Sequence, residues 1–238
     1  MWTGLLVRGS TEVVIIGVLP TNVTYKDVIP VMNDQSTCFA GHFGSKLPSV
    51  QWYGDVEAKP APGPLLRVQA FINTLDWESG QDRLADPADA AEWLIAAGLL
   101  DNGAVPGRAD LADLAEVRES LRALVIHNTG GPAPTAVQLD PLRRLAASAP
   151  ARLIVGDAGA VEVAPVGGSV PDRLLGLLLI VADAQRDGSW VHLKSCANED
   201  CRWAFYDRSR NHGGTWCDMA SCGNKLKNRE FRARRRSR

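Results

Sequence analysis

The chain has 238 residues, 45 % of them hydrophobic, with a formal net charge of -1. That length and apolar content exclude a disordered chain and fit one good core with a smaller domain beside it. The charge is uneven: from Trp190 onward 12 Lys or Arg face 5 Asp or Glu, whereas the preceding residues hold 14 and 22, so an acidic body carries a basic tail suited to a polyanion.

Residues 1–64 have no sustained helical period. They close on Lys59-Pro60-Ala61-Pro62-Gly63-Pro64, which reads as a linker after a poorly defined extension. Alternation over Glu12 to Val18 predicts a short strand, and Met32 offers an alternative initiator if the segment is upstream sequence. The apolar patch Val13 to Leu19 is too short to span a bilayer and lacks the features of a signal peptide, so a cytoplasmic protein with no membrane partner is expected.

Residues 65–189 read as a mainly helical body. Asp86-Pro87-Ala88-Asp89 is a helix start, with Asp as cap and Pro at the first helical position, and Gly103 ends that segment. A second helix is expected from about Asp110 to His127, where Leu114, Val117, Leu121, Leu124 and Val125 form the apolar stripe and Arg118, Glu119 and Arg122 fall outside it. Asp140-Pro141 opens a third helix through Ala147. Two runs of β-branched residues within Leu153 to Val166, separated by Gly156-Asp157-Ala158-Gly159, predict a hairpin. Ser169-Val170-Pro171-Asp172 then enters a helix whose Leu175, Leu178, Leu179 and Ala182 face the core. Asn73 and Asp76 read as local capping or turn residues; no nucleophile elbow, phosphate loop or His and carboxylate cluster is present, and no enzyme is expected.

Residues 190–238 carry the chemistry. Cys196 and Cys201 are separated by four residues, Cys217 and Cys222 by four, and the two pairs by fifteen. Paired thiolates at such spacing suit one tetrahedral zinc with a closed, structural shell; buried free thiols or a disulfide pair are the alternatives. Four of five cysteines fall within 27 residues, with Cys38 alone, which fits a secreted disulfide framework poorly and a reducing cytoplasm better. His192 and His212 precede cysteines and could substitute as ligands. Trp203 to Asp207 predicts a strand that turns at Asn211 to Gly214, and the second cysteine pair opens a helix, an arrangement similar to treble-clef zinc folds. On that helix Lys225, Arg229, Arg232 and Arg236 form a stripe, with Asn224 and Asn228 beside it as candidate base readers. Lys227, Arg234 and Arg235, with Arg208 and Arg210 on the preceding loop, complete the candidate nucleic-acid contacts. Leu226 and Phe231 are expected to pin the helix to the zinc knuckle.

The string from Cys196 through CRWAFYDRSRNHGGTWCDMASCGNKLKNREFRARRR resembles the CGNR zinc-finger domain, with Cys222-Gly223-Asn224-Lys225 in the place of the Cys-Gly-Asn-Arg motif. AFINTLDW, followed by DAAEWLIAAGLL, resembles the ABATE domain that precedes such fingers. The resemblance spans Leu65 to Arg236 and implies a bacterial stress-induced transcription regulator with zinc on Cys196, Cys201, Cys217 and Cys222. Two departures, Lys225 for Arg and Gly214-Thr215 where the family tends to have basic residues, bear on nucleic-acid contact.

The expectation is therefore an α+β chain: a mainly helical body with a small β-hairpin, then a treble-clef-like module holding one structural Zn2+. The expected function is DNA-binding transcription regulation, with a small-molecule or protein signal received by the body and a homodimer among the candidate assemblies. The rival is a zinc-stapled module that binds RNA or protein without reading DNA sequence.

Overall fold

The computed structural model describes residues 57–236, with the side chains of Leu226, Glu230, Ala233 and Arg236 outside that description. The expected strand at Glu12 to Val18, Cys38 and Arg238 also lie outside it. The described chain is about half helical with two small antiparallel hairpins, as the α+β reading requires. The elements are α1 (Leu65–Ile72), α2 (Pro87–Ala96), α3 (Arg108–Asn128), α4 (Ala136–Ser148), β1 (Ala151–Val155), β2 (Val161–Pro165), α5 (Val170–Asp187), β3 (Leu193–Ser195), β4 (Ala204–Tyr206) and α6 (Asn224–Arg236).

Local sequence explains most helix starts. Asp86 caps α2 by accepting from the Ala88 amide at 2.8 Å, and Asp110 reaches back to the Gly107 amide at 2.8 Å at the start of α3. Ser169 and Asp172 close a capping box on α5, which satisfies donors a helix start otherwise leaves unpaired. The third predicted helix begins earlier than expected. Thr135 and Gln138 form its capping box, and Pro141 lies inside the helix. The stronger cap sets the start, and Pro141, near the N-terminus, removes only one ladder bond.

The core lies where α1, α3 and α5 meet. Along α1 the buried positions Leu65, Val68, Gln69 and Ile72 repeat at helical spacing, and Phe71 stacks on Trp93 of α2 with ring centroids 6.5 Å apart. The deepest stripe of α5 is Leu174, Leu177, Val181 and Ala184; the predicted Leu178, Leu179 and Ala182 are half-buried. A helix so apolar all round leaves its buried side to its neighbours, and Pro165 of the β1–β2 hairpin covers it at Gly176. The hairpin pairs Leu153 with Val163 and Val155 with Val161 in antiparallel register.

Two arginines expected on the solvent side of α3 are buried instead. Arg118 is 2 % exposed and Arg122 is 1 % exposed. Arg118 grips Asp82 with two bonds of 2.7 and 2.8 Å and donates to Thr74. Arg122 bonds Glu119 and donates to the carbonyls of Ile72 and Arg202. Their partners come from loops distant in sequence, so the helical period gives no sign of them. Charge-assisted bonds at every nitrogen offset the desolvation of both guanidinium groups.

Asn73 has a larger part than local capping. Its amide accepts from the Ala204 N–H at 2.8 Å and donates to the Ala204 carbonyl at 2.9 Å, standing in for a neighbouring strand. Asp76 does make the expected turn, accepting from the Glu78 amide and the Ser79 hydroxyl. On the other edge of the module, the Thr129 hydroxyl donates to the Ser195 carbonyl and accepts from its amide, and Asn128 donates to the carbonyls of Trp190 and Leu193.

Residues 57–64, expected as linker, are instead tied down across both parts of the chain. The Ala61 amide donates to Gln69, the Tyr206 amide donates to the Lys59 carbonyl, and the Lys59 ammonium donates to the Trp216 carbonyl at 2.7 Å. The Pro-rich composition that signals a linker also suits a strap, whose backbone donors are few, that of Ala61 being met by Gln69. Replacing Asn73 with Ala strands the buried Ala204 N–H and should cost about 1–3 kcal/mol; urea unfolding, with exchange of the Ala204 amide, reads this, and unchanged protection would contradict the clasp.

Candidate metal centre and basic helix

Strand alternation divides the segment around β4 between two cores. Ala204 faces the body and joins its core, whereas Trp203 and Phe205 face a second cluster with the four cysteines. The expected strand at Trp203 to Asp207 is present as β4, but its partner is β3 upstream, with Ser195 opposite Ala204. The loop between them is the first cysteine pair itself. Beyond β4, Asp207 turns the chain away by accepting from the Gly214 amide at 2.7 Å, the Ser209 amide and the Lys194 ammonium. These bonds hold its carboxylate well below the usual range even though burial pushes the other way. A Cβ on Gly214 would lie 2.8 Å from that carboxylate, so only glycine closes the loop.

The four sulfurs of Cys196, Cys201, Cys217 and Cys222 lie within 4.8 Å of one another, and all four residues are buried. The Cys201 and Cys217 sulfurs are 3.7 Å apart and those of Cys217 and Cys222 3.9 Å. A tetrahedron with zinc–sulfur bonds of about 2.3 Å has edges of about 3.8 Å, so the cage fits one zinc ion. The first pair sits on a tight turn in which the Cys196 amide donates to the Trp203 carbonyl and the Cys201 amide to the Asn198 carbonyl. Asn198 in turn directs its amide at the Cys222 sulfur from 3.7 Å, the kind of outer contact that orients a ligand.

The second pair is placed by a π-type turn, Met219–Gly223, that runs directly into α6. Asp218 caps it by accepting from the Ser221 amide at 2.8 Å, and a Cβ on Gly223 would collide with the Met219 sulfur. Shared protons couple the thiols: bonds with Cys201 and Cys217 pull Cys196 down to about 2, whereas the bond with Cys196 pushes both Cys201 and Cys217 up. A divalent cation removes this competition, because it favours the thiolate at all four positions. His192 and His212 are not ligands in this geometry; their rings stack on each other with centroids 3.8 Å apart.

The structure brings part of the predicted basic set together on α6. Lys225, Lys227, Asn228, Arg229, Arg232, Arg234 and Arg235 are all exposed. Lys225 forms an ion pair with Glu78 of the body, and Lys227 lies over the Trp216 ring at 6.0 Å. Asn224 donates to the Ala220 carbonyl one turn back, which makes it a part of the helix start. Phe231 does not pin the helix: it is 55 % exposed, with Arg235 over its ring. The anchorage of α6 is the cage and its turn. Arg208 lies on the loop after β4, donating to the Pro60 carbonyl, and Arg210 is exposed on the same loop.

Sequence reasoning missed Glu57. Its carboxylate accepts from Asn73 at 2.7 Å and from Gln69 and the Trp203 indole at 3.1 Å each, joining strap, body and zinc module at one point. Burial pushes it up to about 7, against the pull of those three donors. A lone Glu beside a Pro-rich run carries no local sign of such partners.

Residues 67–185 match the ABATE family model, described as "Putative stress-induced transcription regulator". The chain belongs to the ABATE family. Residues 192–235 match the CGNR zinc finger, so the cage described above is that finger's metal site and the ABATE domain is the helical body it docks on. No curated protein matches the chain. Together the two models make this a zinc-binding regulator of the ABATE and CGNR type.

Replacing Cys217 with Ser should abolish stoichiometric zinc and forfeit most of the roughly 10–16 kcal/mol that such an ion contributes to folding; metal analysis with circular dichroism of α6 reads both, and retained zinc would contradict the cage. The pH dependence of the strap follows from Glu57. Its docked value lies above its free value near 4.5, so docking is fullest below that value and weakens as pH rises through about 7. The intrinsic-rate-corrected protection of the Tyr206 amide should therefore fall between pH 5 and 8, and Glu57→Gln should flatten that slope.

Proposed function

We propose that this chain is a DNA-binding transcription regulator in which zinc fixes the origin of a basic helix and the ABATE body carries that helix on a rigid seat. The observation that carries the reading is α6 itself: seven Lys or Arg in thirteen residues, following directly on the metal cage. Seven like charges on one short helix repel one another, and a polyanion relieves that repulsion while releasing condensed counterions. A solvated helix of this charge would gain nothing from so firm an anchor.

Within the stripe, Arg229 and Arg232 stand one turn apart, three residues from each other, with Arg236 beyond them. We assign these to phosphate contact, along with Lys227, Arg234, Arg235, Arg208 and Arg210 at its flanks. Lys225 has a different part in this reading: its bond to Glu78 orients the helix against the body. Asn228 is the remaining candidate for a base edge, since Asn224 already bonds within the helix start. The acidic body repels the duplex and confines contact to the helix, which suits a domain that receives a signal. No helix among the described residues is long and apolar enough to cross a membrane.

Fluorescence anisotropy with duplex DNA at several salt concentrations tests the proposal. Affinity should fall steeply with salt, and Arg229→Ala with Arg232→Ala should reduce the slope by about 1.8, roughly 0.9 for each phosphate left without its arginine. Tighter binding to structured RNA than to any duplex would favour the rival, and no binding of DNA at low salt would sink the proposal.

A further inference from the structure

A cleft of about 540 Å3 runs between α3 and α4 and ends against the zinc module, a volume within the range of small-molecule sites. Ala123, Ile126, Val137 and Pro141 are its apolar wall, and Trp77 and Arg202 line it as well. The body supplies every one of these residues except Arg202, which follows the metal ligand Cys201 directly.

Three carboxylates, Glu116, Glu119 and Asp140, and three guanidiniums, Arg122, Arg144 and Arg202, line this cleft. Glu116 is paired with Arg144, Asp140 with Arg143 at 3.2 Å, and Glu119 with both Arg118 and Arg122. The carboxylates are thus already satisfied by arginines of the helices. Among the described residues, Arg202 pairs with none of them. Its guanidinium lies 4.5 Å from the centre of the Trp77 ring and donates to the Glu199 carbonyl. The buried Arg122 guanidinium lies 6.0 Å from the same ring. Arg122 already has Glu119 as its carboxylate, so among the described residues of the cleft Arg202 is the cation left for an incoming anion.

We infer that this cleft binds a small planar aromatic carboxylate, its ring against the apolar wall and its carboxylate on Arg202. A neutral ring would find the wall but leave Arg202 without an anion; an aliphatic acid would forgo the flat contact with Pro141. Arg202 also gives the site a route to the finger. It holds the left-handed backbone at φ 49°, and its carbonyl accepts from Arg122 at 3.0 Å and from the Ser195 hydroxyl at 3.1 Å. A ligand that grips this side chain acts on the residue next to Cys201, and so on the cage that seats α6. That consequence rests on the regulator reading above; the binding itself does not.

The test is calorimetric titration of the zinc-loaded full chain, without DNA, using naphthoate and its neutral analogue naphthamide. Naphthoate should bind, and naphthamide about ten-fold more weakly or less, the difference one charge-assisted pair makes. Arg202→Asn keeps a residue that tolerates left-handed backbone and should erase the preference. Val137→Glu, at a position 77 % exposed and harmless to the fold, places a carboxylate at the mouth and should weaken naphthoate by a similar factor. Absence of naphthoate binding, equal binding of the amide, or a preference that survives Val137→Glu would overturn the inference. A parallel titration with duplex DNA separates the two proposals: lost DNA binding with intact naphthoate binding sinks the regulator reading alone.

Discussion

Four thiolates within 4.8 Å of one another cannot stay ionised in a buried site unless a cation lies between them, and the rest of the C-terminal structure follows from that constraint. The turn that delivers Cys217 and Cys222 is also the start of α6, so the bond that closes the cage sets the direction of the basic helix. Phe231 is exposed, and the ion pair to Glu78 joins two surface side chains, a contact of modest strength. Among the described residues, the cage and the turn that closes it are therefore the main anchorage of α6.

The cage in turn is not an independent bead on a linker. Alternation along β4 lets one residue, Ala204, belong to the body's core while its neighbours Trp203 and Phe205 belong to the cage. Asn73 pairs with both backbone groups of Ala204, Thr129 with both of Ser195, and Glu57 ties the strap to the same place. Such a seam of buried polar bonds is costly to open, because each broken bond strands a partner away from water. A change in the body that opened one of these bonds would be felt at the finger.

The sequence discloses the local features and hides the distant ones. Cysteine spacing, the caps at Asp86 and Ser169 and the hairpin turn at Gly156 to Gly159 are all decided by neighbours in the chain, and the structure has them where the residues indicate. The deciding partners of Arg118, Arg122, Asn73 and Glu57 lie 12 to 146 residues away, and each of these residues looks like a surface or turn residue until its partner is known. The face of α5 and the strand partner of β4 are ambiguous in the sequence for a related reason: an all-apolar helix and a short strand each admit several neighbours, and packing alone chooses among them. The basic stripe is legible as charge, but the division of labour within it, with Lys225 turned to Glu78 and Asn224 to the helix start, emerges only in the folded chain.

The central claim is that zinc makes the basic helix competent by fixing its origin. Duplex-DNA affinity of the zinc-loaded chain, measured against the same chain stripped by a chelator and then reloaded, tests it most directly. The account predicts that affinity falls at least about a hundred-fold without zinc, a loss of close to 2.7 kcal/mol, and returns on reloading. Equal affinity with and without the metal would contradict it, since the charge of the tail would then suffice without its seat.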